Sequence, residues 1–181
     1  GFEYCTSDYR ELLADPAIRL VLVLTRHDSH SALAAEALQA GKHVFVEKPL
    51  ALDVAHLRQV ARAYLEALAR AEAEGRSPPV LMVGLNRRFS PFSRWLRERL
   101  ERVSGPLSLS FVVNAGALPL DSWANDPEQG GRIIGEVCHF VDLAQYLAGS
   151  PVTRAYAQRA DGGGVAGDDS AIATLSLADG S

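Results

Sequence analysis

Lys42-His43-Val44-Phe45-Val46-Glu47-Lys48-Pro49-Leu50 is the stretch that decides how this chain is read. Its apolar centre suits a short buried strand, and Pro49 stops the run directly after a Glu-Lys pair. Parallel α/β sheets bind ligands outside the carboxyl ends of their strands, and Lys48 falls at such an end. An ammonium there can hold a substrate oxygen or exchange a proton with it. A surface lysine that merely snorkels from a strand end is the plainer alternative, and the residue type alone does not separate the two.

The flanks favour a sheet. Upstream, Leu20-Val-Leu-Val-Leu-Thr25 is wholly apolar until its last residue, as expected for a parallel strand covered on both faces. Asp28 or Ser29 is placed to cap an alanine-rich helix that ends at Gly41. Strand, helix and strand in this span make a βαβ unit, whose crossover should be right-handed. Before it, Asp8 can cap a short helix through Leu13, with Glu11 as its reciprocal partner. After it, Asp53 can cap a helix that runs to about Glu74, and Gly75-Arg-Ser-Pro-Pro79 breaks that helix. Val80-Leu-Met-Val-Gly84 reads as a third buried strand. Ser90-Pro91 supplies an N-cap and a preset first turn for a helix that should stop near Gly105-Pro106.

Beyond Gly105 the texture changes. Leu107, Leu109, Phe111 and Val113 alternate with Ser108, Ser110, Val112 and Asn114, the period-2 pattern of a half-exposed strand. An irregular stretch over 115–130 precedes a helix from about Arg132 to Leu147, closed by Gly149. Residues 152–160 and 170–177 read as two further strands. The expected fold class is therefore α/β: a parallel α/β portion over 1–104, then an α+β portion with an antiparallel sheet over 105–181. No internal repeat is visible.

Composition narrows the functional classes. The 181 residues are 48% apolar and 22% charged, and 18 basic against 22 acidic residues give a net charge of −4. No bulk positive charge invites nucleic acid. Six arginines between Arg87 and Arg102 fall at helical spacings that scatter them around a solvated face. No apolar run approaches the roughly 20 residues of a membrane helix, so no membrane partner is expected. Cys5 and Cys138 lack metal-ligand spacing and suit a reducing cytoplasm. Neither a signal peptide nor an initiating methionine opens the chain, and an internal fragment of a longer protein is expected.

One motif deceives. Gly162-Gly-Gly-Val-Ala-Gly167 satisfies the dinucleotide pattern G-x-G-x-x-G in letters. That fingerprint works only between a strand and a helix, because the helix N-terminus holds the pyrophosphate. Here Ala171, Ala173, Leu175 and Leu177 alternate onto one face, so a strand follows and a hairpin loop is expected. A zinc site from His27, His30 and His43 is disfavoured because the intervening helix separates the first two from the third, and no metal is expected.

Three blocks together carry a family likeness. Leu24-Thr25-Arg-His27-Asp-Ser-His30 and Ala40-Gly-Lys-His-Val-Phe-Val-Glu47-Lys48-Pro49-Leu50, followed by Gly131-Arg-Ile-Ile-Gly-Glu136-Val-Cys-His139-Phe-Val-Asp142-Leu143, resemble the family of glucose–fructose oxidoreductase, inositol dehydrogenase and MocA. Val83-Gly-Leu-Asn86-Arg-Arg88-Phe-Ser-Pro91 with Gly130-Gly-Arg-Ile-Ile-Gly-Glu136 is similar to one subgroup of it, often joined to an alcohol-dehydrogenase-like half. The likeness spans nearly the whole chain.

The resemblance implies a Rossmann domain for NAD or NADP, here lacking its first βα units, and a C-terminal domain with an open sheet through which copies associate as a homo-oligomer. It implies hydride transfer between nicotinamide and a small-molecule sugar, cyclitol or related polyol substrate. A glycoside hydrolase working by transient oxidation, or a nucleotide-responsive regulator without catalysis, are alternatives on the same fold. Lys48 and His139 are the implied catalytic pair on the substrate hydroxyl. Many relatives carry an acidic residue four positions before this histidine; here Gly135 stands there, and Glu136, three before, is the candidate to orient the ring. Thr25, His27, His30, Glu47, Pro49, Asn86 and Arg88 are implied to line the cofactor cleft. For Thr25, His27 and His30, helix capping is a competing role.

Overall fold

A computed structural model describes residues 3–116, 118–119, 121–159 and 170–181. Two compact units divide the chain, Gly1–Gly84 and Leu85–Ser181.

The first unit runs α1 (Tyr9–Ala14), β1 (Leu20–Val23), α2 (His27–Gln39), β2 (His43–Val46), α3 (Val54–Ala73) and β3 (Leu81–Val83). Its three strands are parallel in the order β1-β2-β3, with Leu22 opposite Phe45 and Phe45 opposite Met82. Because side chains alternate along a strand, this register sends two sets of residues to opposite faces. Val23, Val44 and Val46 pack with Ala34, Ala35, Leu38, Val60, Ala63 and Ala67 of α2 and α3 into the core. The small residues let the two helices lie close together and on the sheet. The opposite face carries Leu20, Leu22, Leu24, Val80 and Met82, all exposed.

Asp8 and Asp53 cap α1 and α3 as expected, Asp53 accepting from the His56 amide at 2.8 Å. Helix α2 starts earlier than its sequence suggests. Arg26 is its N-cap and gives no side-chain cap, so Asp28 and Ser29 lie inside the first turn rather than before it. The Thr25 and Ser29 hydroxyls hydrogen-bond each other instead, at 2.7 Å. Gly41 takes φ 74° just past the helix, the left-handed geometry that favours glycine.

The second unit runs from a 3₁₀ turn at Asn86–Phe89 into α4 (Pro91–Leu100), two more 3₁₀ turns at Trp123–Asn125 and Pro127–Gln129, α5 (Gly131–Ala148), β4 (Val152–Arg159) and β5 (Ala171–Leu177). Ser90 caps α4 through the Ser93 amide, and the helix ends at Leu100, short of Gly105-Pro106. Its Arg97 donates to the Leu147 carbonyl near the end of α5 at 2.9 Å. Strands β4 and β5 pair antiparallel, from Val152 opposite Leu177 to Arg159 opposite Ala171. The glycine-rich stretch 162–167 lies outside the described residues, but the strand expected after it is present.

The strand expected at 107–113 is not formed among the described residues. Leu107 and Leu109 are half-buried and Phe111 reaches the Phe140 ring of α5 at 5.9 Å, so the alternation does turn one face inward. Alternation specifies a face; it does not supply the neighbouring strand whose backbone would complete a ladder. Within the second unit, α4 and the turn before it pack on α5.

Candidate functional site

In the first unit the candidate residues gather at the carboxyl ends of the parallel strands. Glu47 and Lys48 follow β2 and are half-buried, while Pro49 is buried and the Lys48–Pro49 peptide is cis. The Glu47 amide donates to the Val23 carbonyl at 2.9 Å, extending the β1–β2 ladder to the edge of the site. Glu47 Oε2 accepts from the Lys48 amide at 3.3 Å. Its carboxylate lies against Gly84, where an added Cβ would stand 3.0 Å from Oε2, so the glycine gives the carboxylate room.

Thr25 is exposed after β1, and His27 and His30 sit in the first turn of α2. His27 is 8% exposed and His30 0%, their rings 5.7 Å apart edge to face. His30 has no surface to offer a cofactor. Its Nδ1 lies 2.9 Å from the Pro49 carbonyl and its Nε2 3.0 Å from the Thr25 carbonyl. His43 is engaged as well, accepting the Val80 amide on Nδ1 at 3.0 Å. Among the described residues no group of three His, Cys, Asp or Glu side chains could hold a metal ion.

The chain's two lysines have different surroundings. Lys42, before β2, is buried and donates from Nζ to the Asp15 carbonyl at 2.7 Å, a structural bond. Lys48 stands beyond the other end of the same strand.

The second unit assembles its own cluster on α5. His139 and Asp142 are buried, three residues apart and so on one helical face. Arg88, from the turn before α4, donates to both carboxylate oxygens of Asp142, Nε to Oδ2 at 2.9 Å and Nη2 to Oδ1. Asp142 pushes the Arg88 guanidinium above its ordinary range, chiefly through the hydrogen bond. Arg88 also lies 5.5 Å from the Tyr146 ring centroid. Arg87 stacks over Phe140 at 4.5 Å and lies 3.8 Å from Glu136. The structure thus sets Glu136 beside an arginine and leaves Asn86 exposed.

Asp142 is the participant that sequence reading passed over. Its signal was available: a carboxylate three residues after His139, on the same face of the helix, needs a partner once it is buried. Which arginine would supply that partner could not be read, since Arg88 is 54 positions away.

No helix among the described residues is long and apolar enough to cross a membrane. Comparison with known proteins gives the lineage. The model of an oxidoreductase family with an NAD-binding Rossmann fold matches residues 1–71, and the GFO/IDH/MocA C-terminal domain matches 102–181. An uncharacterized oxidoreductase, YrbE, of Bacillus subtilis (strain 168) is 32% identical over 160 residues, covering 87% of this chain and 43% of that protein. Myo-inositol 2-dehydrogenase of Thermotoga maritima is 30% identical over 159 residues, covering 87% of this chain and 44% of the relative. The structure of a levoglucosan dehydrogenase in complex with NADH and levoglucosan superposes with a TM-score of 0.80 at 26% identity, covering 99% of this chain and 50% of that one. The chain spans about half the length of the relatives it matches. With both family models matched in order over most of the chain, the chain belongs to the Gfo/Idh/MocA oxidoreductase family.

Proposed function

We propose that this chain carries the strand-end and helical residues of a nicotinamide-dependent oxidoreductase, NAD- or NADP-linked, that acts on a sugar, cyclitol or related polyol. The observation that carries this reading is Lys48. It is half-buried at the carboxyl edge of a parallel sheet, and the sheet's ladder fixes the backbone just before it. The inositol and levoglucosan dehydrogenases among the relatives supply the substrate class.

The residues present fit the nicotinamide end of such a cofactor: a strand-end carboxylate cradled by a glycine, followed directly in the chain by the half-buried Lys48. Glu47, Thr25 and the buried Pro49 turn would border it. The nicotinamide supplies a hydride acceptor or donor carbon. Lys48 holds the substrate oxygen and stabilises the negative charge that develops as the hydroxyl loses its proton. His139 accepts that proton on oxidation and returns it on reduction, the usual work of an imidazole. Glu136 orients His139 in this reading, and its salt link to Arg87 steadies the carboxylate. Arg88 anchors α5 through Asp142 and so bears on the site through that helix.

The same reading separates a cofactor-binding part over 1–104 from a substrate-binding part over 105–181. Copies would associate through the β4–β5 face, where Tyr156 and Ile172 lie exposed on one side. Neither Cys5 nor Cys138 is in a disulfide, which supports a cytoplasmic setting.

The test is turnover of the full-length natural protein on a panel of inositols, anhydrosugars and aldoses with NAD and with NADP. Lys48→Ala should lower kcat about a hundredfold or more with one of these substrates, the scale of a positioned proton-transfer group. Undiminished turnover would remove Lys48 from the chemistry. Glycoside cleavage without net cofactor reduction would reassign the reaction, and dinucleotide binding without any turnover would make the protein a sensor.

A further inference from the structure

Among the described residues, His30 is the one fully buried titratable side chain that the proposed chemistry leaves without work. Its surroundings are specific. Its ring nitrogens each lie within hydrogen-bond distance of a backbone carbonyl, one on the segment leaving β1 and one on the segment leaving β2, and each donates only when it carries a proton. The second belongs to Pro49, the residue directly after Lys48. The Lys48 backbone is therefore held from both sides: the Glu47 amide is tied to the Val23 carbonyl, and the Pro49 carbonyl is tied to His30. Helix α2 fixes His30 in turn, and the Thr25 carbonyl meets its other nitrogen.

We infer that His30 is a positioning residue for Lys48, acting as a crosspiece that sets where the peptide carrying the lysine stands at the sheet edge. This rests on the reading of Lys48 given above. The two ring nitrogens have separate duties. Nδ1 reaches the lysine-bearing segment, while Nε2 reaches only the Thr25 segment. Two amide side chains separate those duties, because the amide nitrogen of Asn falls near the place of Nδ1 and that of Gln near the place of Nε2. His30→Asn places a donor toward Pro49 and none toward Thr25; His30→Gln does the reverse. His30→Leu removes both.

The experiment compares the three variants in the full-length natural protein by kcat and KM, by melting temperature, and by NMR of reductively 13C-methylated Lys48. Lys48→Arg assigns the resonance. The expected result is kcat within about threefold of wild type for His30→Asn and about tenfold or more lower for His30→Gln and His30→Leu, since a small misplacement of a reacting group costs that much. Substrate KM should change little. The Lys48 resonance should move in the Gln and Leu variants and stay in the Asn variant. Losses that follow melting temperature alone, with Asn and Gln alike, would overturn the inference, as would a Lys48 resonance unmoved in all three. If His30→Leu does not fold, the Asn–Gln comparison still decides. A wild-type protein inactive on every substrate would defeat the proposed reaction, while the NMR comparison would still decide the positioning role.

Discussion

Arg88 and Asp142 form a two-point ion pair in which the carboxylate is buried and the guanidinium is about one-third exposed, at 35%. The pair joins the turn before α4 to the middle of α5, three residues from His139. A carboxylate with so little solvent depends on its partner, and removing the partner leaves a buried charge with part of its hydrogen bonding gone.

Arg88→Ala should therefore destabilise the second unit by about 2–3 kcal/mol, below the usual cost of breaking a fully buried pair because Arg88 itself keeps some water. Arg88→Lys should recover only part of this, since an ammonium cannot reproduce the two-pronged geometry. Denaturant midpoints of the two variants check the order. Equal stability of Arg88→Ala and wild type would show that the pair contributes nothing net.

Gly84→Ala tests Glu47. The new methyl would press on the Glu47 carboxylate at 3.0–3.1 Å, and the flexible end of the side chain must move aside. If Glu47 touches the cofactor, the dinucleotide KM should rise about threefold to tenfold, the loss of roughly one hydrogen bond, with kcat little changed. Steady-state kinetics at saturating polyol measures it. An unaltered KM would place Glu47 outside the cofactor contacts.

Acid should weaken the fold in part through Asp179. The Ser181 amide and then its hydroxyl bond this carboxylate, holding it below the ordinary carboxylate range. A lowered native pKa means that its stabilisation is complete above the unfolded value of about 3.9 and is lost as pH falls through the native value. Asp179→Asn should thus lower stability at neutral pH and lose less between about pH 4 and pH 2, so that the two unfolding midpoints converge in acid. Parallel curves at all pH values would show that Asp179 is not linked to folding.

Much of the scaffold was legible because it rests on local rules. Asp53 and Ser90 announced their helices, Gly41 and Gly149 closed theirs, and the valine-rich runs marked the parallel strands. What could not be read was non-local. The alternation at 107–113 gave a face but no neighbour, and the start of α2 lay before Asp28 because a helix can begin on Arg26 without a side-chain cap. Strand-end placement drew attention to Lys48 and the family likeness to His139, but the contacts of His30 emerged only with the distances. Its ring nitrogens face backbone carbonyls, which every residue carries and no sequence distinguishes. Asp142 and Arg88 meet side chain to side chain, across a separation that no periodicity spans.

The leucine row on the outer face of the first sheet has a consequence for handling and for partnership. Helices α2 and α3 keep one side of that sheet dry, while Leu20, Leu22, Leu24, Val80 and Met82 leave the other wetted by water it does not favour. Each Å² of such surface that another polypeptide covers returns about 25 cal/mol. Whatever lies on these strands therefore acts as a lid on solubility, and a preparation with the row bare should cloud on warming and clear with mild detergent.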